Sequence, residues 1–129
     1  AIKNIDEQSK NNIFGSDLSS DHITGCKDML QSFKFNLELN FNIKNISNFK
    51  ANNKKYHIVT NPPYQIRIGT ETDLLFIHKG LKKILSSESQ IYLLYPIDSD
   101  FITKNYKYEK LATIYNGSIK CGFYKIINV

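Results

Sequence analysis

Four consecutive residues, Asn61-Pro62-Pro63-Tyr64, combine types that suit one chemical task. An exocyclic amine on a nucleobase is a poor nucleophile, because its lone pair is delocalised into the ring. Two acceptors aimed at its N–H groups draw it toward tetrahedral geometry and hold it in line with an electrophile. The amide oxygen of Asn61 and the backbone carbonyl of Pro62 can form that pair. The two prolines stiffen the loop, so the carbonyl points in one direction. Tyr64 offers a flat face on which an extruded base can stack, which makes the ring, not the hydroxyl, its working part. The competing explanation is a proline turn capped by Asn61, with Tyr64 in the core. At average residue usage, roughly one chain of this size in a few thousand would hold the tetrapeptide by chance.

Two further positions carry polar groups at strand ends. Asp17 closes the run Ile13-Phe14-Gly15-Ser16-Asp17. A carboxylate there can accept both hydroxyls of a ribose, as acids do in dinucleotide-binding sheets, or it can open a helix. Asn45 follows a second strand-like run and can accept from an adenine amino group or make a turn. His22, His57 and His78 lack partners at nucleophile or metal spacing and read as structural. Cys26 and Cys121 fall on apolar faces and read as core. They are too few for a disulfide framework and have no metal-type spacing, so a reducing compartment is the default.

The elements that position these residues alternate in kind. Ile13–Asp17 reads as a strand. Ser19-Ser20-Asp21 starts a helix carrying Ile23, Cys26, Leu30 and Phe33 at helical spacing. Residues 39–46 alternate apolar and polar, a strand signature. Tyr56-His57-Ile58-Val59-Thr60 reads as a buried strand running into Asn61. A second helix begins near Glu71 and places Leu74, Leu75, Ile77, Leu81, Ile84 and Leu85 on one face. Ile91–Tyr95 is another buried strand, stopped by Pro96. Leu111–Tyr115 and Ile119–Phe123 flank Asn116-Gly117, a two-residue hairpin signal in which both turn residues accept positive φ. The pattern predicts an α/β fold, mainly parallel, with an antiparallel C-terminal hairpin.

Composition sets outer limits. The chain has 129 residues, 41% hydrophobic and 22% charged, with a formal net charge of +5. That length fits one domain with one core. No apolar run approaches membrane-spanning length, and the first residues are neither a secretory signal nor an obvious transit peptide. The basic balance fits a polyanionic partner or Lys-rich codon usage. Lys104, Lys107 and Lys110, interleaved with Tyr106 and Tyr108, either flank a nucleic-acid groove or form a solvated loop.

Taken together, these residues resemble the class I methyltransferases that act on amino groups of bases. The closest resemblance is to the large-subunit ribosomal RNA guanine-N2 methyltransferases, whose longer chains carry a THUMP RNA-binding domain ahead of the catalytic one. It runs from about Phe14 to the C-terminus. Phe14-Gly15-Ser16-Asp17 looks like the family's second strand with its ribose acid. Lys44-Asn45-Ile46 looks like the adenine-contacting motif, where Asp is commoner than Asn. Asn61 to Tyr64 with Arg67-Ile68-Gly69 looks like the catalytic loop, and Asn116 to Cys121 like the closing hairpin. Gln65 and Ile66 depart from the usual Gly and acid. The tetrapeptide is shared with adenine-N6 enzymes; Arg67, Gly69 and the hairpin favour the guanine-N2 group.

The resemblance implies a Rossmann-like sheet of order 3-2-1-4-5-7-6 and S-adenosylmethionine as cofactor. It implies Asp17, Leu18, Asn45, Ile46 and Asn61 at the cofactor, Asn61, Pro62 and Tyr64 in catalysis, and Pro63, Tyr64 and Arg67 at the substrate. The partners it implies are ribosomal RNA and an upstream RNA-binding domain, with no metal or membrane, in the cytoplasm. The glycines at 15, 25, 69, 80, 117 and 122 include no clustered pair, so the first strand and its Gly-rich loop are missing. The expectation is a catalytic domain incomplete at its N-terminus, part of a longer protein. Two alternatives stay open: adenine-N6 methylation of DNA or RNA, and a non-catalytic relative that binds nucleic acid.

Overall fold

The computed structural model describes residues 13–33, 39–64 and 71–129. The chain divides into two compact units, Ala1–Asn45 and Ile46–Val129.

In the first unit, β1 (Ile13–Asp17) pairs in parallel with β2 (Leu39–Ile43), with Asp17 opposite Ile43. Helix α1 (Ser20–Ser32) joins them. Its N-cap is Ser19, whose hydroxyl accepts from the His22 N–H at 3.3 Å and satisfies one of the orphan donors of the first turn. Of the four apolar residues expected on its inner face, only Ile23 is buried; Cys26 and Leu30 are half-buried, and Phe33 falls just past the helix and is exposed. The second strand is shorter than its alternating pattern predicts. It ends at Ile43, and Ile46–Asn48 form a 3₁₀ turn instead.

The second unit is a four-stranded mixed sheet of order β3-β4-β6-β5. Strand β3 (His57–Thr60) runs parallel to β4 (Gln90–Pro96), and β6 (Ile119–Asn128) is antiparallel to both β4 and β5 (Lys107–Asn116). With β1-β2, this matches the 3-2 and 4-5-7-6 segments of the order that the resemblance implies. Helix α2 (Glu71–Ser86) provides the parallel crossover from β3 to β4. Ile77, Leu81 and Ile84 from α2 meet Ile91, Leu93 and Tyr95 of β4 and Tyr124 and Ile126 of β6 in the core. Leu75 departs from the expected helix face and is 68% exposed. Gly80 lets α2 approach the 3₁₀ turn, because a Cβ there would stand 2.7 Å from the Ile46 carbonyl oxygen. The Lys83 ammonium donates to the Ser47 carbonyl at 2.6 Å on the same contact.

Three expectations are corrected in this unit. Strand β3 is only partly buried: Val59 is 72% exposed, and among the described residues β3 pairs with β4 alone. The Lys-Tyr stretch is not a loop. A short helix, α3 (Phe101–Asn105), carries Lys104 in an ion pair with Asp100, and Lys107 starts β5. Finally, the hairpin turn is not the Asn-Gly type. Asn116 pairs with Ile119 as the last strand residue, the loop is Gly117-Ser118, and only Gly117 has positive φ, at +63°. One positive φ at the first loop position is the type II′ pattern, which glycine alone satisfies without strain.

Candidate active site

Register explains why residues distant in sequence meet at one end of the second sheet. Thr60, the last residue of β3, lies opposite Leu93 of β4. Two residues further along β4, Tyr95 lies opposite Gly122 of β6, and Pro96 opposite Cys121. The β5–β6 turn therefore rises at the carboxyl ends of β3 and β4, where Asn61-Pro62-Pro63-Tyr64 leaves the sheet. Carboxyl strand ends are where open α/β sheets bind ligands. A surface depression of about 430 Å³ lined by Glu88, Gln90 and Lys125 lies at the other end, by the first residue of β4.

Within the motif, Asn61 and Pro63 are exposed, Pro62 is buried and Tyr64 is half-buried. The Tyr64 hydroxyl donates to Oδ1 of Asn61 at 2.5 Å. It accepts from Nδ2 of Asn116 at 3.2 Å, and the buried Cys121 thiol lies 3.7 Å away. The Tyr64 ring packs edge-to-face on Tyr95, with centroids 5.4 Å apart, and Tyr95 in turn packs on Phe101. Burial raises the Tyr64 pKa, and the Asn116 N–H works against that shift by favouring the anion. Tyr64 thus packs on the core and bonds within the motif, and its hydroxyl has partners that ring stacking alone does not use. By sequence alone Asn116 reads as a hairpin residue and Cys121 as core. Only the register of three strands places them beside Tyr64.

In the first unit, Asp17 closes β1 with its side chain 48% exposed. One carboxylate oxygen, Oδ1, accepts from the Ser19 N–H at 2.8 Å and lies 3.3 Å from Nδ1 of His22. The backbone carbonyl of Asp17 accepts from the Lys44 N–H at 2.9 Å, which ties the β1 end to the segment entering Asn45. Leu18 is 68% exposed and Asn45 is half-buried. Ile46, in the second unit, packs partly against its core. Arg67, Gln65, Ile66 and Gly69 lie outside the described residues. The other two histidines sit among aromatics: Nδ1 of His78 lies 2.5 Å from the Tyr106 hydroxyl, and His57 stacks on Tyr92. Among the described residues, no three His, Cys, Asp or Glu side chains group as metal ligands, and no helix is long and apolar enough to cross a membrane.

Two solved structures share this fold. The crystal structure of SMU.472 complexed with SAH aligns with a TM-score of 0.79 at 20% identity, covering 96% of this chain and 33% of that one. The structure of a possible methylase from Clostridium difficile 630 aligns at 0.70 and 23%, covering 99% and 34%. The architecture is the Rossmann-like methyltransferase sheet. Residues 1–121 match the UPF0020 family, described as the RMKL-like methyltransferase domain, and the chain belongs to that family. Among its relatives are two proteins named ribosomal RNA large subunit methyltransferase K/L. That of Shewanella woodyi is 27% identical over 88% of this chain, and that of Shewanella loihica 26% over 85%. The chain spans 16% of the length of each.

Proposed function

We propose that the protein transfers a methyl group from S-adenosylmethionine to an exocyclic amino group of a base in RNA, with guanine N2 of large-subunit ribosomal RNA as the target. The observation that carries this reading is Asn61. Its exposed amide follows a parallel strand, and its acceptor oxygen is held by Tyr64. The relatives named as large-subunit ribosomal RNA methyltransferases support the RNA target. The net charge of +5 fits a polyanionic substrate.

The residues at the end of β1 fit the nucleoside part of that cofactor. The Asp17 carboxylate is half-exposed and fixed through Oδ1, so it can accept ribose hydroxyls. Exposed Leu18 offers an apolar surface to an adenine, with Asn45 and Ile46 assigned beside it by the resemblance. When bound, S-adenosylmethionine supplies an electrophilic methyl group. The amide oxygen of Asn61 and the carbonyl of Pro62 accept the two N–H groups of the base amine and localise its lone pair. Pro62 and Pro63 limit the loop's freedom, and Tyr64 and Pro63 border the base. Arg67 is assigned to the substrate by the resemblance.

The test is to incubate the intact protein with ribosomal RNA and isotopically labelled cofactor, then digest the product. Labelled N2-methylguanosine is expected. N6-methyladenosine in its place would overturn the guanine assignment and establish the adenine alternative.

A further inference from the structure

We propose that Asn116 is a positioning residue that sets the orientation of the Asn61 amide through the Tyr64 hydroxyl. This rests on the reading of Asn61 as the acceptor for the base amine. The three groups form one directed chain. Asn116 donates from Nδ2 to the Tyr64 oxygen at 3.2 Å, and Tyr64 donates to Oδ1 of Asn61 at 2.5 Å. The buried Cys121 thiol lies 3.7 Å from the same phenolic oxygen as a weak donor. With donors at both of its lone pairs, the Tyr64 oxygen has its own proton aimed at Asn61.

The direction matters because an amide has two different ends. With Oδ1 toward Tyr64, Asn61 accepts on one lone pair and keeps the other for a base N–H. Reversing the chain would turn Nδ2 of Asn61 toward Tyr64. The acceptor oxygen would then no longer be held where the amine must bind. Hydrogen bonds in series polarise one another, so the donor at one end strengthens the bond at the other. Asn116 is free for this task because the turn does not use it. Gly117-Ser118 closes the hairpin, and Asn116 remains in the strand, paired with Ile119.

The test compares Asn116→Ala and Asn116→Asp in the intact protein. Both variants keep Gly117 and the hairpin register. Asn116→Ala removes the donor and should lower kcat about threefold, with KM little changed. Asn116→Asp is isosteric but only accepts, so it reverses the chain and should lower kcat further than alanine does. In a Tyr64→Phe background the link is already cut, and Asn116→Ala should cost nothing more. A readout independent of activity is the Tyr64 ring carbon resonance followed through ionisation. Losing the Asn116 N–H should raise the Tyr64 pKa further. Normal kcat in Asn116→Asp, additive losses in the double variant, or an unmoved Tyr64 titration would overturn the inference. Asn61→Ala separates the two readings. A crippled Asn61→Ala beside normal Asn116 variants sinks only the positioning role. A fully active Asn61→Ala sinks the catalytic reading beneath it, and with it this one.

Discussion

The Tyr64 hydroxyl donates to Oδ1 of Asn61 at 2.5 Å, three residues back along the chain. The amide and the ring of the motif are therefore not independent parts. Its aromatic residue also holds its amide. Tyr64→Phe keeps the ring and the contact with Tyr95 but loses that bond and the Asn116 contact. Its methyl-transfer rate should fall about three- to tenfold, consistent with a net hydrogen bond of about 0.5–1.5 kcal/mol. Single-turnover kinetics check this, and an unchanged rate would return the hydroxyl to a bystander role. Tyr64→Ala should lose more, because stacking of about 1–3 kcal/mol goes with the ring.

Asp17→Asn separates charge from shape at the end of β1. The amide oxygen can still accept from the Ser19 N–H, so the entry to α1 should survive and the melting temperature should barely move. Cofactor affinity should fall about tenfold or more, since charge-assisted bonds are worth about 1.5–3 kcal/mol each. Calorimetry beside a melting curve tests it. Unchanged cofactor affinity would place Asp17 outside the cofactor site.

Gly80→Ala should destabilise the second unit. The added Cβ would stand 2.7 Å from the Ile46 carbonyl oxygen and 2.8 Å from its carbon, and backbone cannot swing aside as a side chain can. The cost should be about 1–3 kcal/mol, typical of overpacking, and the melting temperature should drop by several degrees. A melting temperature equal to that of the parent would show that α2 and the 3₁₀ turn do not pack this closely in solution.

Acid should weaken the fold through His78. Burial, with a smaller contribution from the nearby Lys82 charge, lowers its pKa below the 6.5 ordinary for histidine. Below pH 6.5 the unfolded chain binds a proton that the folded chain resists, so stability falls as pH drops toward the folded pKa and levels off beneath it. At neutral pH and above this loss is absent. Melting curves between pH 8 and pH 5 should show the acid slope in the parent and a shallower one in His78→Gln. Identical slopes would remove His78 as its source.

Much of this architecture was legible because short-range rules decide it. Ser19 caps α1 as its side chain predicts, and apolar spacing located α2 and β4 within a residue or two. What sequence could not supply was pairing. Val59 reads as buried by its own apolarity, but burial depends on what packs beside it, and among the described residues β3 pairs with β4 alone and Val59 is 72% exposed. Asn116 reads as a turn residue because Asn-Gly tolerates positive φ, yet Gly117 alone supplies it and leaves the Asn116 side chain to Tyr64. The Asn61–Tyr64 tetrapeptide marked a candidate site, while its contacts with Asn116 and Cys121 arise from β4–β6 register across more than fifty positions of sequence.

We propose that Asn61 acts on the base amine and does not merely cap a turn. Single-turnover methyl transfer by Asn61→Ala, measured beside its melting curve and its cofactor affinity, tests this most directly. The expected rate is lower by about a hundredfold or more, the usual cost of one aligned transition-state hydrogen bond, with cofactor binding and folding nearly intact. An Asn61→Ala protein that melts earlier but, while folded, transfers methyl groups at the parent rate would contradict it.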